Sequence, residues 1–271
     1  MGKFSGYMIV TDLDGTLLKN DKRVSEENLR AIRYFKDEGG LFSFVTGRIP
    51  EGVGRVLQQV QPNAPCGHGN GTSIYDHCTK TRLWERSVDV ERAVVLVDYA
   101  LQQEPSIGVI ACTHDTAYFQ KKNAASEMFR CHEGFEDKAG NVRTITEPLS
   151  KIMFTDSDEP TLLRLMERVS AHPLANEFML IRTDTAYYEL LPKNASKGDL
   201  ILRLSQITGV PIKQIIAVGD NDNDASMLKA AGVGIAVSNA SEAAKAAADR
   251  ITVSNEEHAI ACIIKELEVL L

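Results

Sequence analysis

Residues 7–16 read Tyr-Met-Ile-Val-Thr-Asp-Leu-Asp-Gly-Thr, and this stretch decides the fold. It opens with four apolar residues, a pattern typical of a strand that is buried on both faces of a parallel sheet. Two carboxylates follow, Asp12 and Asp14, separated by an apolar residue. Because ligands of open α/β sheets bind beyond the carboxyl ends of the strands, these two side chains are candidate functional groups. The glycine at position 15 permits a sharp turn directly after them.

The patterns on either side of this stretch predict an α/β fold in two parts. Strand-like and helix-like segments alternate from the start of the chain to about residue 75, and again from residue 196. Between them, paired strand patterns with helices indicate an α+β unit rather than a continuation of the parallel sheet. We therefore predict a Rossmann-like parallel-sheet core formed by residues 1–82 and 190–271, with an α+β domain inserted at residues 83–189.

Local signals predict several element boundaries. Ser25, followed by two glutamates, predicts the start of a helix that ends at Gly39-Gly40. The glycine-rich segment 67–71 precedes a short strand and is interpreted as a flexible turn between the two domains. Residues 124–140 show no clear pattern, and residues 256–270 predict the final helix.

Composition disfavours several classes of function. The 271 residues carry a formal net charge of −7, which argues against a nucleic-acid partner but not against a small phosphorylated substrate held with a metal ion. No apolar stretch approaches the ~20 residues of a membrane span, and none of signal-peptide length precedes the first strand. The five cysteines are scattered without CxxC spacing, as is typical of reduced thiols, so we expect a cytoplasmic protein without a membrane partner.

Four polar motifs occur in order at predicted strand ends or helix starts. They are residues 12–16 (DLDGT), 46–48 (TGR), 196–199 (SKGD) and 219–224 (GDNDND). In a doubly wound sheet the loops after the strands open on one edge, so the three motifs that follow strands are expected to meet there. A lone DxD or a lone lysine is more often a turn or a helix cap, but four motifs in this order favour one active site.

With these motifs the chain resembles the haloacid dehalogenase (HAD) superfamily of phosphotransferases, and its inserted domain resembles the C2 cap of the Cof-type sugar-phosphate phosphatases. The resemblance implies a catalytic core, a cap that closes over the active site, and Mg²⁺ as the cofactor. It also implies a phosphatase that acts on small phosphorylated metabolites, sugar phosphates first among them. One departure is His258, which stands near the start of the last helix where we expect glycine from the family pattern.

The chemistry of phosphate-ester hydrolysis explains the residue types in the motifs. A carboxylate at the strand end, Asp12, can take up the phosphoryl group as an aspartyl-phosphate that water then hydrolyses. Asp14 can protonate the leaving alkoxide and later activate the water. Mg²⁺ offsets the repulsion between the nucleophile and the phosphoryl oxygens, with carboxylate ligands from Asp12 and Asp220. The resemblance adds the backbone carbonyl of Asp14 as a metal ligand.

Other residues of the motifs are assigned to the phosphate and to the surroundings of the metal. The hydroxyl of Thr46 and the N–H of Gly47 can donate to phosphate oxygens, and Lys197 offers a positive charge to the phosphate and to the nucleophile. Asn223 and Asp224 are expected to steady the metal's waters or neighbouring groups, and Asn223 is also a candidate substrate contact.

Two other functions stay open at this point. A phosphomutase of the phosphomannomutase type would use the same Asp12 and Asp14 but return the phosphoryl group to a sugar. A regulatory protein could hold metal and phosphate without turnover, and its mark would be a stable phosphoprotein. Arg48 is compatible with an ion pair to an acidic neighbour or with substrate contact. The oligomeric state and the identity of the phosphorylated metabolite are not indicated by the sequence.

Overall fold

A computed structural model describes residues 2–271 of the chain. Its strands are β1 (Met8–Thr11), β2 (Leu41–Phe44), β3 (Cys66–His68), β4 (Ser73–Asp76), β5 (Thr81–Glu85), β6 (Gly108–Thr113), β7 (Ala117–Lys121), β8 (Leu149–Thr155), β9 (Phe178–Asp184), β10 (Tyr187–Pro192), β11 (Ile215–Gly219), β12 (Val233–Ala236) and β13 (Arg250–Ile251). Its helices are α1 (Glu26–Asp37), α2 (Gly54–Val60), α3 (Val90–Gln103), α4 (Ala124–Glu133), α5 (Glu159–Ser170), α6 (Lys197–Thr208), α7 (Ala225–Ala230), α8 (Glu242–Ala247) and α9 (Ala259–Leu270). Within the described residues, none of these helices has both the length and the apolar character needed to cross a membrane.

The described residues form two compact units. Unit 1 comprises the residues up to Gly47 together with Gly54–Trp84 and Ser196–Leu271. Unit 2 comprises Arg48–Val53 and Glu85–Ala195. Unit 1 is thus assembled from both ends of the chain, and unit 2 is mainly one long insertion. The roles of catalytic core and cap stay predictions for these units.

Unit 1 is built on a five-stranded sheet in the order β13-β12-β11-β1-β2. Every pairing in this sheet is parallel. Met8 of β1 lies opposite Ile215 on one side and opposite Leu41 on the other. All residues of β1 are buried, as expected for a strand inside a parallel sheet. The carboxyl ends of β11, β1 and β2 therefore lie side by side at one edge, which confirms the predicted α/β core.

Side-chain caps define two helix starts in unit 1. Ser25 accepts a hydrogen bond from the N–H of Asn28 at 3.2 Å, so α1 begins where it was predicted. Ser196 accepts one from the N–H of Asp199 at 3.1 Å, and α6 begins at Lys197. The capped start fixes the point at which the side chain of Lys197 leaves the helix.

Unit 2 contains an antiparallel sheet in the order β7-β6-β8-β10-β9. Leu96 of α3 and Leu165 of α5 share a buried apolar cluster with Phe154 of β8. Met153 is the neighbour of Phe154 and belongs to a second, smaller apolar cluster, because successive side chains of a strand point to opposite faces. Paired antiparallel strands with packed helices confirm the predicted α+β insertion.

The turn predicted within residues 67–71 is present at residues 69–72, but it connects β3 to β4 inside unit 1 rather than joining the two domains. Residues 66–68 form β3, which belongs to a three-stranded sheet in the order β3-β4-β5, and residues 66–74 are all buried. Strand β5 was not predicted. Residues 124–140, which showed no pattern, contain α4, and its start is marked by reciprocal hydrogen bonds between Asn123 and Ser126.

Short 3₁₀ turns precede two helices, and the second of these, the final helix, begins later than predicted. A 3₁₀ turn at Pro50–Val53 precedes α2, which starts at Gly54. A second 3₁₀ turn, Asn255–Glu257, ends at His258, and α9 starts only after it. His258 has φ +63° and ψ +46°, the left-handed conformation that favours glycine. The backbone thus keeps a glycine-like turn at the position where we expected glycine.

Candidate active site

Asp12 lies directly after β1, where the backbone is still hydrogen-bonded to the neighbouring strand. Its N–H donates to the carbonyl of Val218 in β11 at 2.8 Å, and its side chain is buried. Gly15 follows with φ +81°, and a Cβ at this position would lie 2.4 Å from Oδ2 of Asp220. The turn after β1 thus approaches the loop after β11 so closely that only glycine fits between them.

Lys197 connects these two loops by ion pairs. Its Nζ lies 2.8 Å from Oδ1 of Asp12 and 2.5 Å from Oδ1 of Asp224, and all three side chains are buried. Burial by itself would lower the pKa of Lys197, but attraction to Asp12 and Asp224 outweighs burial and raises the pKa. The lysine therefore stays charged beside the predicted nucleophile.

Asp224 organises the loop after β11. Its Oδ2 accepts hydrogen bonds from the N–H groups of Asp220 and Asn221, each at 2.9 Å. Oδ1 of Asp220 accepts a hydrogen bond from the hydroxyl of Thr16 at 2.5 Å. Both oxygens of Asp224 are thus engaged by Lys197 and by the loop, whereas Asp220 is directed toward the turn after β1.

Within residues 2–271, one group of carboxylates has a spacing that suits a metal ion. Oxygens of Asp12, Asp220 and Asp224 lie within 4.8 Å of one another. Burial, followed by repulsion from Asp224, raises the pKa of Asp220 to about 6. Burial and the neighbouring carboxylates also raise the pKa of Asp12, against the opposing effect of Lys197. One lysine does not neutralise three carboxylates, so this donor set fits a divalent cation with oxygen ligands.

Asn70 connects two of the motifs, although it was not predicted as a site residue. Its Oδ1 accepts a hydrogen bond from Nδ2 of Asn223 at 3.0 Å, and its N–H donates to the carbonyl of Thr46 at 3.1 Å. A Cβ at Gly47 would lie 2.9 Å from Nδ2 of Asn70. Asn70 is 2 % exposed. The Asn-Gly pair in segment 67–71 was the only sequence signal, and a turn was its ordinary interpretation.

Asn223 presents a buried polar atom that has no hydrogen-bond partner among the described residues. This atom is Oδ1, while Nδ2 of the same amide is held by Asn70. Buried amide oxygens are normally satisfied, so a donor from water or from a bound ligand is expected here. The arrangement supports the prediction that Asn223 belongs to the site.

Asp14 is the more exposed of the two aspartates after β1. Its Oδ1 lies 2.8 Å from Nζ of Lys22, and its side chain is 36 % exposed. The charge of Asp14 also contributes to the raised pKa of Asp220, so Asp14 lies near the carboxylate cluster. This position is accessible to a substrate and to water.

Arg48 and Trp84 each contact residues that lie outside the four motifs. Arg48 lies 3.3 Å from Oε2 of Glu133 and donates to the carbonyl of Gly52 at 2.9 Å, so it has the ion pair that was one of its two predicted roles. The ring of Trp84 packs against the guanidinium of Arg203, whose Cζ lies 3.8 Å from the ring centroid.

The chain belongs to the haloacid dehalogenase-like hydrolases, whose family model matches residues 9–264. It is 29 % identical over 273 residues to the 5-amino-6-(5-phospho-D-ribitylamino)uracil phosphatase YitU of Bacillus subtilis, which covers 96 % of this chain and 97 % of that protein. It is 27 % identical to the pyridoxal phosphate phosphatase YbhA of Escherichia coli, with 95 % and 97 % covered. A solved haloacid dehalogenase-like hydrolase from Bacteroides thetaiotaomicron has the same fold, with a TM-score of 0.86 at 24 % identity over 96 % of this chain and 99 % of that one. These findings confirm the predicted superfamily and the predicted enzyme class, a phosphatase.

Proposed function

We propose that this protein is a cytoplasmic, Mg²⁺-dependent phosphatase that hydrolyses small phosphorylated metabolites, sugar phosphates among them, through an aspartyl-phosphate on Asp12. The position of Asp12 carries the proposal, because this buried carboxylate contacts Lys197 and lies beside Asp220. A carboxylate can accept a phosphoryl group only where positive charge offsets the negative phosphoryl oxygens. Lys197 supplies one such charge, and the carboxylate cluster suits a divalent cation.

The proposed reaction has two steps that share one intermediate. First, a carboxylate oxygen of Asp12 attacks phosphorus while the bond to the ester oxygen breaks, and Asp14 gives its proton to the departing alkoxide. Then water attacks the phosphorus of the aspartyl-phosphate and gives a proton to Asp14, which releases inorganic phosphate and restores the carboxylate of Asp12. The partial exposure of Asp14 supports this assignment, because Asp14 has to meet both the alkoxide and the water.

The carboxylates of Asp12 and Asp220 would hold the metal ion, and the family resemblance adds the backbone carbonyl of Asp14. When bound, Mg²⁺ supplies positive charge that offsets the phosphoryl oxygens. Asp224 is the less suitable ligand, because its oxygens already accept from Lys197 and from the N–H groups of the loop. Its proposed role is to hold Asp220 and Lys197 in place.

The proposed phosphate contacts are the hydroxyl of Thr46, the N–H of Gly47 and the ammonium of Lys197. Thr46 is buried and its N–H donates to the carbonyl of Gly67 at 3.0 Å, which gives this segment a fixed position. The unpartnered Oδ1 of Asn223 supports a contact between this residue and a donor group in the site. Preorganised donors of this kind stabilise the charge of a phosphoryl group without reorganisation.

We further propose that unit 1 is the catalytic core and unit 2 the cap that selects the substrate. All residues assigned to the chemistry above belong to unit 1. By their names, the two relatives act on a phosphoribitylamino-uracil and on pyridoxal phosphate. A substrate panel for this protein therefore has to include sugar phosphates, pyridoxal phosphate and flavin mononucleotide.

The test is phosphate release across this panel, with and without Mg²⁺, by the wild type, by Asp12→Asn and by the control Asp37→Asn, whose aspartate is exposed at the end of α1. We expect Mg²⁺-dependent release that is lost in Asp12→Asn and kept in the control. Release by Asp12→Asn at the wild-type rate would contradict the assigned nucleophile. An isomerised sugar phosphate in place of free phosphate would identify a mutase, and a stable phosphoprotein without product would identify a regulatory protein.

A further inference from the structure

We infer that Lys22 is a positioning residue that sets the orientation of the Asp14 carboxyl group. This inference deepens the proposed function and rests on it, because Asp14 is the residue proposed to transfer the proton. The direct observation is the distance of 2.8 Å between Nζ of Lys22 and Oδ1 of Asp14. Lys22 lies outside the four sequence motifs, and no motif spacing predicted its contact with Asp14.

The ion pair itself is too exposed to order two flexible side chains. The side chain of Lys22 is 63 % exposed and that of Asp14 is 36 % exposed, and exposed pairs contribute about 0–1 kcal/mol. Lys22 can therefore position Asp14 only if its own backbone is held. The structure shows such a backbone, in a closed turn that is attached to a second segment of unit 1.

Two backbone hydrogen bonds close the turn around Lys22. The N–H of Lys22 donates to the carbonyl of Lys19 at 2.9 Å, and the N–H of Lys19 donates to the carbonyl of Arg23 at 2.9 Å. A side chain also contributes, because Oδ1 of Asp21 accepts from the N–H of Arg23 at 3.0 Å. The turn is therefore closed by its own hydrogen bonds.

The turn is also attached to the segment that precedes α9. Oε1 of Glu256 accepts from the N–H of Asn20 at 2.7 Å, and Oε2 of the same residue lies 3.3 Å from Nζ of Lys19. Glu256 thus fixes the turn relative to the rest of unit 1. The Cα of Lys22 is in this way held at a set distance from the turn that carries Asp14.

The backbone conformation of Lys22 is unfavourable for a lysine. It has φ +62°, in the left-handed region that costs a non-glycine residue about 1–2 kcal/mol. Glycine or asparagine would adopt this conformation with less strain. Lys80 also adopts this conformation, so the strain by itself assigns no role; it is the contact of the Lys22 ammonium with a proposed catalytic carboxylate that supports a function for this side chain.

The other lysine of the site is not available for this role. Lys197 is engaged by Asp12 and Asp224. The carboxylate of Asp14 is repelled by the nearby carboxylates, as its contribution to the raised pKa of Asp220 shows. The ammonium of Lys22 binds one oxygen of the Asp14 carboxyl group and so fixes the direction from which this group approaches the leaving oxygen.

The test compares variants that separate the effect of the Lys22 charge from the effect of its backbone conformation. Lys22→Asn removes the charge but tolerates the left-handed conformation, and Lys22→Arg keeps the charge. Arg23→Gln is the matched control, since Arg23 is an exposed cation in the same turn. Asp14→Asn gives the effect of losing the proton-transfer group itself. Lys22→Gly serves as a second charge-free variant if Lys22→Asn fails to fold in a urea titration.

The measured quantity is kcat/KM for an alkyl phosphate, whose alkoxide needs a proton, and for p-nitrophenyl phosphate, whose phenolate leaves without one. This constant reports the steps up to formation of the aspartyl-phosphate. Because general acid catalysis contributes about 10²–10⁴-fold, we expect a misplaced Asp14 in Lys22→Asn to lower kcat/KM for the alkyl ester about tenfold, with less than about a threefold effect on the aryl ester. Lys22→Arg should restore most of the loss, and Arg23→Gln should match the wild type.

Three results would overturn the inference. If Asp14→Asn changes the ratio between the two esters and Lys22→Asn does not, Lys22 does not position Asp14, while the proposed function stands. If Lys22→Asn raises KM equally for both esters and weakens inhibition by inorganic phosphate, Lys22 is a substrate contact instead. If the wild type releases phosphate from neither ester nor from the metabolite panel, the proposed function is wrong and the inference falls with it.

Discussion

Nζ of Lys197 lies 2.8 Å from Oδ1 of Asp12, although the two residues are 185 positions apart in the chain. Both side chains are buried. Lys197 lies in the first turn of α6, and Asp12 directly follows β1. The pair therefore joins the first motif of the sequence to the third, and it contributes to the packing of unit 1 as well as to the proposed phosphate site.

Replacing Lys197 by methionine should both destabilise the protein and abolish phosphate release. The change leaves the buried carboxylates of Asp12 and Asp224 without their cation, and breaking a buried pair in this way costs about 3–5 kcal/mol. Urea unfolding measures the first effect and phosphate release the second. Lys229→Met, at an exposed position of α7, is the control. An unfolding free energy equal to that of the wild type would contradict the stabilising role.

Asp220→Asn should stabilise the metal-free protein at pH 7. The pKa of Asp220 is raised to about 6 in the folded protein, above its value in the unfolded chain, so its contribution favours folding in acid and is lost as the pH rises through about 6. At pH 7 the ionised group then destabilises the fold by about 1–3 kcal/mol, which asparagine avoids. Thermal unfolding without metal should show a higher Tm for the variant.

The same variant should lose any stabilisation by Mg²⁺, because a proposed ligand is missing. In the wild type, added Mg²⁺ should raise Tm at pH 7 and raise it less below about pH 6, where protons compete for Asp220. A wild-type Tm that does not respond to Mg²⁺ at either pH would count against the proposed metal site.

The pair His68 and His77 predicts a loss of stability in mild acid. Their Nε2 atoms lie 3.0 Å apart, and burial lowers the pKa of His77 against the opposing charge of Asp76. A histidine with a lowered pKa in the folded state stabilises the protein above its unfolded pKa of about 6.5, and this stability is lost as the pH falls. In urea titrations from about pH 7.5 to 5, His77→Gln should show a shallower decline than the wild type. His132→Gln, at an exposed position, should follow the wild type.

Asn70→Gly should lower kcat while leaving the backbone of the buried turn intact. Asn70 has φ +57°, which glycine adopts freely, so the variant keeps the backbone and removes the side-chain contacts of Asn70, the hydrogen bond to Asn223 among them. Loss of a supporting residue of this kind typically lowers activity about 10–100-fold. Asn194→Gly is a matched control, since Asn194 is exposed and has φ +64°. Equal kcat values for the two variants would show that the Asn70 side chain has no role in the site.

His258→Gly should be more stable than His258→Ala by about 1–2 kcal/mol, because alanine keeps the strain of the left-handed conformation and glycine does not. Both variants lose the contact between Nδ1 of His258 and Oε2 of Glu27 at 3.6 Å, so this contact cancels in the comparison. The free energies of unfolding of the two variants, measured in urea, test this difference in stability. Equal values would mean that the turn before α9 rearranges in one of the variants.

Much of the fold could be predicted from local pattern. The apolar run before Asp12 predicted a buried strand, and Ser25 predicted the start of α1, because burial on both faces and helix capping act on neighbouring residues. The same holds for the paired strands of unit 2. The burial of segment 66–74 was not predicted, because its glycines are typical of an exposed turn, whereas burial depends on strands that lie elsewhere in the chain.

The strand-end motifs placed Asp12 and Asp220 at one edge of the sheet by sequence alone, since parallel strands bring their carboxyl ends together there. Lys197, at a predicted helix start, was assigned to the same site from the order of the four motifs. Which of these groups touch was decided by the tertiary structure. Lys197 pairs with Asp12 and Asp224 because α6 packs against α7 and the 3₁₀ turn Asp222–Asp224, while β11, which leads into that turn, pairs with β1. Asn70 and Lys22 have no motif of their own, and they reach Asn223 and Asp14 only through hydrogen bonds and turns that the folded chain creates. Contacts between distant residues leave no local pattern, and for that reason the sequence predicted the chemistry proposed for the site while the fold selected its supporting residues.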